Sequence, residues 1–149
     1  MGWIADLHGT KVGIDTAPLI FYIEEHPIYA TVLNPFFDAV DNGDIELVTS
    51  TVTLLEVLVH PLKQKDESLA HKYNDILLSS PNIETVPVTP ATAQAAAELR
   101  ANSNLKTPDA IQLATAITHQ ATTFLTNDRD FRRSDYIRVL KVRDLVDDG

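Results

Sequence analysis

T-P-D-A-I-Q-L-A-T-A-I-T-H-Q-A-T-T-F-L-T-N-D, residues 107–128, sets two acids at two different structural edges. Thr107 is read as a helix N-cap and Pro108 as the first helical residue, where a missing N–H costs nothing. Asp109 then falls in the first turn, with Ala110, Ile111, Leu113, Ala114 and Ile117 as the apolar face behind it. Thr123 to Thr126 read as a short buried strand, and Asn127-Asp128 punctuate its C-terminal end. An acid that opens a helix and an acid that closes a strand lie at the same end of an α/β layer. Open parallel sheets bind their ligands at that end.

Working outward, the chain keeps alternating short apolar runs with helical patterns. Residues 11–15, K-V-G-I-D, read as a buried strand ending in Asp15. Thr16-Ala17-Pro18 open a helix that His26-Pro27 close, and a second helix spans about 28–41. In that helix Pro35 either kinks the chain or restarts it with Asn34 as cap, and Asn42-Gly43 stop it. Residues 45–48 are a second strand, 49–51 the turn, and a third helix follows with Leu54, Leu55, Leu58, Val59 and Leu62 as its apolar face. Glu56 lies in its early turns.

The spacing then predicts a helix over 66–79, a strand over 83–88, and an Ala-rich helix from Thr89-Pro90 to about Ala101. After residue 128, one helical turn over 129–134 and a last strand over 137–142 are expected, with 144–149 trailing off. Residues 1–10 form an N-terminal extension without a clear period, in which Trp3, Ile4 and Leu7 are free to dock on the core or on a partner. Residues 11–149 are expected to be one domain, a three-layer α/β/α sandwich around a parallel sheet of about five strands.

Composition narrows the chemistry. A chain of 149 residues, 44% hydrophobic and 22% charged, buries a full core and has the make-up of a soluble globular protein. No apolar run approaches the ~20 residues needed to cross a bilayer, so no membrane association is expected and a cytoplasmic location is the default. Zero cysteines exclude a disulfide framework, a thiolate zinc site and a Cys nucleophile. The net charge of −9 argues against a generally basic nucleic-acid surface. Half of the 12 basic residues, however, are Arg129, Arg132, Arg133, Arg138, Lys141 and Arg143, which leaves room for a local basic patch.

Each of four acids has an ordinary explanation. Asp15 can turn the chain, Thr53-x-x-Glu56 fits a capping box, Asp109 suits a helix dipole, and Asp128 can cap the turn after it. All four nevertheless fall at strand C-termini or at helix starts, which converge on one rim of a parallel sheet. Two carboxylates ~5 Å apart repel by roughly 3 kcal/mol at an effective dielectric near 20. Four together require raised pKa values or a divalent cation, and oxygen ligands without Cys or clustered His suit Mg²⁺ or Mn²⁺. Such a site performs metal-assisted hydrolysis of a phosphodiester.

The segments V-G-I-D-T, L-L-E-V-L-V-H-P-L, K-T-P-D-A-I-Q-L-A-T-A and F-L-T-N-D-R-D-F, in this order and spacing, resemble the four motifs of PIN-domain proteins over about residues 11–143. The resemblance implies a five-stranded parallel sheet of order 3-2-1-4-5 and metal-dependent ribonuclease activity. It also implies a VapC-type toxin that acts on RNA, is neutralised by a cognate antitoxin protein and often forms a homodimer. By position, Asp15, Glu56, Asp109 and Asp128 match the family's metal-binding acids. Asp130 replaces or assists Asp128, and Thr126 and Thr16 are auxiliary hydroxyls beside the acids.

One departure stands out: the first motif often continues Asp-Thr-Asn or Asp-Thr-Ser, and here Ala17 follows Thr16. A catalytically silent PIN-like protein-binding module is therefore the alternative. A phosphatase of the haloacid-dehalogenase type ranks below both, because Ala17 stands where its second Asp belongs. The five histidines lack ligand spacing, and no phosphate-binding glycine loop is present.

Overall fold

Strand β1 (Lys11–Ile14) lies at the centre of the sheet, between β2 (Glu46–Ser50) and β4 (Thr123–Thr126). Outside these run β3 (Ile83–Val86) and β5 (Arg138–Lys141), giving the order β3-β2-β1-β4-β5 with every neighbour parallel. This computed structural model describes residues 2–132 and 134–146. The order is the expected one. Parallel neighbours require crossovers, and the helices that supply them cover both faces.

Strand alternation assigns the two faces. Val12, Ile14, Leu47 and Leu125 point into one cluster with Leu19 and Leu33 of the helices α2 (Thr16–Ile23) and α3 (Tyr29–Asp41). The same cluster takes Val57 of α4 (Thr51–Lys63) and Tyr73 of α5 (Glu67–Ser79). Val48 and Phe124 point the other way, against Ala96 of α6 (Pro90–Ala101) and Ala110, Ala114 and Ala116 of α7 (Thr107–Thr118). The small alanine face of α7 lets that helix lie close to the sheet. At Gly13 the approach is closest: a Cβ there would overlap the Ala116 Cβ and press on Phe124.

Several sequence expectations shift by a residue or a face. The N-cap of α7 is Lys106 rather than Thr107, and the Thr107 hydroxyl instead accepts from Arg100 Nη1 at 3.0 Å. Strand β1 stops at Ile14, so Asp15 is the N-cap of α2 and not a strand residue. Thr49 and Ser50 belong to β2 rather than to a turn, because pairing with β3 continues to Ser50 and Val86. Helix α3 runs through Pro35 without a restart and ends before Asn42-Gly43, where Gly43 adopts φ 84. Strands β3 and β5 are shorter than expected, and Val142–Leu145 form a 3-10 turn.

The expected helical turn over 129–134 is a plain turn at 129–130, and Arg133 lies outside the described residues. A larger correction concerns α4. Its buried residues are Thr53, Val57 and Pro61; of the expected face, Leu54 and Leu58 pack half-buried against the core, whereas Leu55, Val59 and Leu62 are exposed. Thr53 and Val57 turn inward because Thr53 joins a polar network at the sheet edge. The N-terminal extension folds into α1 (Trp3–Leu7), with the Trp3 ring stacked on Phe36 at 5.4 Å and Leu7 buried.

Candidate functional site

The C-terminal ends of β1, β2 and β4 and the first turns of α2, α4 and α7 meet at one rim of the sheet. Asp15 is buried there, and both of its carboxylate oxygens are engaged. The Thr16 backbone N–H donates to Oδ1 at 2.8 Å, and the Thr126 hydroxyl donates to Oδ2 at 2.7 Å. One link is local and caps α2; the other reaches across from the end of β4. Two donors fix the rotamer of Asp15 and favour its charged form, yet burial outweighs them and raises its pKa, helped by the nearby charges of Glu56 and Asp128.

Glu56 does not complete a capping box with Thr53. Helix α4 is capped by Ser50, whose hydroxyl accepts from the Val52 N–H at 3.1 Å. Thr53 is one turn inside the helix and fully buried. Freed from capping, Glu56 accepts from the Thr16 hydroxyl at 2.6 Å, which draws it toward the end of β1. The next residue after Asp15 thus holds the acid of another helix.

Asp109, half-buried in the first turn of α7, has its pKa pushed up to about 7. The cause is burial first, then the charges of Asp15 and Asp128, a hydrogen-bonding approach to Asp128, and the charge of Glu56. Every one of the other three acids therefore acts on Asp109, so the four share one electrostatic neighbourhood. Asp128 is half-buried, and its backbone N–H donates to the Thr126 hydroxyl at 3.1 Å. Its Oδ1 accepts from the Asp130 N–H at 2.8 Å, so Asp128 also caps the turn after it. Asp130 itself is exposed and meets the cluster through that backbone contact.

Beneath the acids lies a polar layer that the sequence reading passed over. Gln112 is 3% exposed on the inner face of α7. Its Oε1 accepts from the Ser50 hydroxyl at 2.7 Å, and its Nε2 donates to Thr16 Oγ1 at 3.2 Å and to Thr53 Oγ1. Thr49 donates to Thr53 Oγ1 at 2.8 Å or to the Ile14 carbonyl at 3.0 Å. No buried side-chain polar atom among the described residues lacks a partner. The available signal was a single amide set between Ile111 and Leu113 on an otherwise apolar face, one turn after Asp109.

The loop bearing Asp128 is anchored from behind. Asn127 Oδ1 accepts from the Arg143 backbone N–H at 2.9 Å and from Arg143 Nε at 3.3 Å, while Arg143 Nη2 donates to the Asn127 carbonyl. Among the described residues, cavities of about 780 and 870 Å³ lie beside Phe131, Arg132 and Ser134 to Tyr136 rather than at the acids, and the larger reaches the cluster's margin at Asp130.

Among the described residues, no three acids or histidines are already drawn together around a metal position. The Thr16 and Thr126 hydroxyls each hold one carboxylate, Glu56 and Asp15 respectively. The donor chemistry still fits a hard divalent cation. It is four carboxylates without thiolate or imidazole, and the like-charge crowding that adds to burial in raising Asp109 is what a cation relieves.

Comparison with known proteins agrees with this architecture. The chain is similar to VapBC2 from Rickettsia felis, solved bound to a DNA fragment from their promoter, with 20% identity and a TM-score of 0.66 over 88% of this chain and 98% of that one. FitAB bound to an IR36 DNA fragment matches with 19% identity and a TM-score of 0.68, covering 89% of this chain and 94% of that one. A toxin-antitoxin complex from Klebsiella pneumoniae matches with 22% identity and a TM-score of 0.62, covering 89% and 98%. No curated protein matches. The model of the PIN domain matches residues 13–135, most of the sheet and the helices that carry the acids, and the chain belongs to the PIN-domain family.

Proposed function

We propose that this protein is a metal-dependent endoribonuclease that hydrolyses RNA phosphodiesters with Mg²⁺ or Mn²⁺, and that it is the toxin of a toxin–antitoxin pair. Asp15, Glu56, Asp109 and Asp128 are the residues that hold the cation. One observation carries the reading: Asp15, Glu56 and Asp128 all act on Asp109, whose pKa burial first and then these three carboxylates push up to about 7, a crowding that a bound cation relieves.

A bound divalent cation supplies activation of a water molecule and neutralises charge building on the scissile phosphate. The chain's own residues prepare the place. Thr126 and Thr16 hold Asp15 in one rotamer, and the Thr16 hydroxyl aims Glu56 at the same rim. Ser50, the hydroxyl that caps α4 at this rim, is committed to Gln112 and to the Val52 N–H and is not free to act as a nucleophile. Exposed Arg129 and Arg132 follow Asp128 on the same loop, where RNA phosphates can meet them despite the net charge of −9.

The VapBC and FitAB likenesses support an antitoxin protein as partner and a cytoplasmic setting. No helix among the described residues is long and apolar enough to cross a membrane. A homodimer is proposed on the exposed stripe of Leu55, Val59 and Leu62.

The test is direct. Purified free of any partner, the protein should cleave RNA when Mg²⁺ or Mn²⁺ is present and stop when the metal is chelated. The Asp15→Asn and Asp109→Asn variants should lose cleavage while keeping their circular dichroism. Cleavage surviving in either variant would falsify the assignment. The second reading, a silent PIN-like binding module, draws on the absence of a preformed metal enclosure among the described residues and on Ala17 after Thr16. It predicts no cleavage with any metal.

A further inference from the structure

We propose that Gln112 is a positioning residue for the acid cluster, acting through Thr16: its amide sets the direction of the Thr16 hydroxyl and thereby the placement of Glu56. The inference rests on the acid-cluster reading above and gives a role to Gln112, which lies within the third motif but to which the resemblance assigns none.

The hydrogen-bond directions carry it. Ser50 Oγ already accepts from the Val52 N–H, so its own proton is free to go to Gln112 Oε1. That bond fixes which end of the amide faces Ser50, and the NH₂ end must then face Thr16 and Thr53. A hydroxyl that receives an N–H on a lone pair directs its single proton elsewhere. For Thr16 that is Glu56 Oε1, at 2.6 Å. The chain of donors thus runs one way, from Ser50 through Gln112 and Thr16 to Glu56.

Burial makes the arrangement rigid. Gln112, Ser50 and Thr53 are all buried, so none of them can trade a protein partner for bulk water at low cost. The network also joins three elements that supply site residues: Thr16 opens α2, Ser50 ends β2 and caps α4, and Gln112 lies on α7 one turn from Asp109. Without the amide, the Thr16 hydroxyl can rotate toward Thr53 Oγ1, 3.3 Å away, and release Glu56.

The test is a double-variant cycle with Gln112→Met, which keeps length and packing but removes the amide, and Thr16→Val, which removes the hydroxyl. Mn²⁺ affinity is read by calorimetry without RNA, and urea midpoints are read without metal. Each single variant should bind Mn²⁺ about 10- to 100-fold more weakly. The double variant should be no weaker than the worse single one, because both act on one bond. Thr16→Ser, which keeps the hydroxyl, should restore affinity to within about threefold of the parent.

Losses that multiply in the double variant, or an unchanged affinity in Gln112→Met, overturn the proposal. If the parent protein neither binds Mn²⁺ nor cleaves RNA, the nuclease reading fails on its own. The urea cycle then decides the Gln112–Thr16 link separately: non-additive midpoints uphold it and additive midpoints overturn it.

Discussion

The Thr126 hydroxyl, on the last residue of β4, donates a 2.7 Å hydrogen bond to Asp15 across 111 positions of sequence, and its oxygen accepts the Asp128 N–H at 3.1 Å. One side chain therefore ties the acid after β1 to the acid after β4. The parallel pairing of Ile14 with Leu125 makes this possible, because it brings the two strand ends level.

Replacing Thr126 by Val keeps the shape and removes both bonds. A buried carboxylate then loses a donor, and the N–H of half-buried Asp128 loses its acceptor. We expect a loss of about 1–3 kcal/mol in stability by urea denaturation, and weaker Mn²⁺ binding by about tenfold or more. Thr126→Ser should recover most of both. An equal loss in the Ser and Val variants would show that the methyl packing, not the hydroxyl, matters at this position.

Asp109 gives the site a signature in pH. Its folded pKa, about 7, lies above the 3.8 of an ordinary Asp, so between those values the folded chain holds a proton that the unfolded chain has released. Stability must then fall as pH rises from about 4 to 7, and the loss is complete above the folded value. The raised pKa of Asp15 acts with the same sign. We expect the metal-free Tm to decline over that window and to decline less in Asp109→Asn. The variant should therefore be the more stable protein at pH 7.5 while being inactive. Parallel Tm profiles for the two proteins would remove the electrostatic account of this residue.

Gly13 is required by packing rather than by backbone conformation. Any Cβ at this position runs into the Ala116 Cβ, on the face where α7 approaches β1. Gly13→Ala should cost about 1–3 kcal/mol by overpacking, and Ala116→Gly in the same chain should return part of it. Because α7 carries Asp109, a shift of that helix should also lower cleavage. A Gly13→Ala protein as stable as its parent would mean that α7 can move away at no cost.

Leu55 and Leu62 are 64% and 65% exposed on α4, with Val59 between them. As side chains of an isolated protomer they contribute little, so Leu55→Asp and Leu62→Asp should change monomer stability by only about 0.5 kcal/mol. Self-association, read by sedimentation, should fall in the paired variant if this stripe is the dimer surface. Unchanged sedimentation with unchanged folding would move the interface elsewhere on the molecule.

Much of this was legible in the sequence because it depends on local rules. Apolar runs of about five residues between helical patterns specify buried parallel strands, and V-G-I-D-T and T-P-D-A-I-Q-L-A-T-A place their acids at element ends whatever the rest does. The strand order came from the family resemblance, and β3-β2-β1-β4-β5 bears it out. Element ends and faces were less secure. Thr107 has the side chain of a cap, yet Lys106 holds that position, and Leu54 to Leu62 form an apolar stripe that periodicity assigns to the core although only Leu54 and Leu58 reach it.

Tertiary structure decided what each polar group does. Thr53 and Glu56 have the spacing of a capping box, yet Ser50 takes the cap, Thr53 turns inward to Gln112, and Glu56 is left for Thr16. Sequence spacing cannot report this, because the competing partners come from β2, α2 and α7. The exposure of Leu55 and Leu62 follows from the same choice: the inward face of α4 is centred on Thr53 and Val57, with Leu54 and Leu58 at its edge. The amino-acid order thus fixed which acids stand at the ends of strands and helices. Only the folded packing determined which hydroxyls and amides hold them, since a buried polar group must find its partner wherever the fold supplies one.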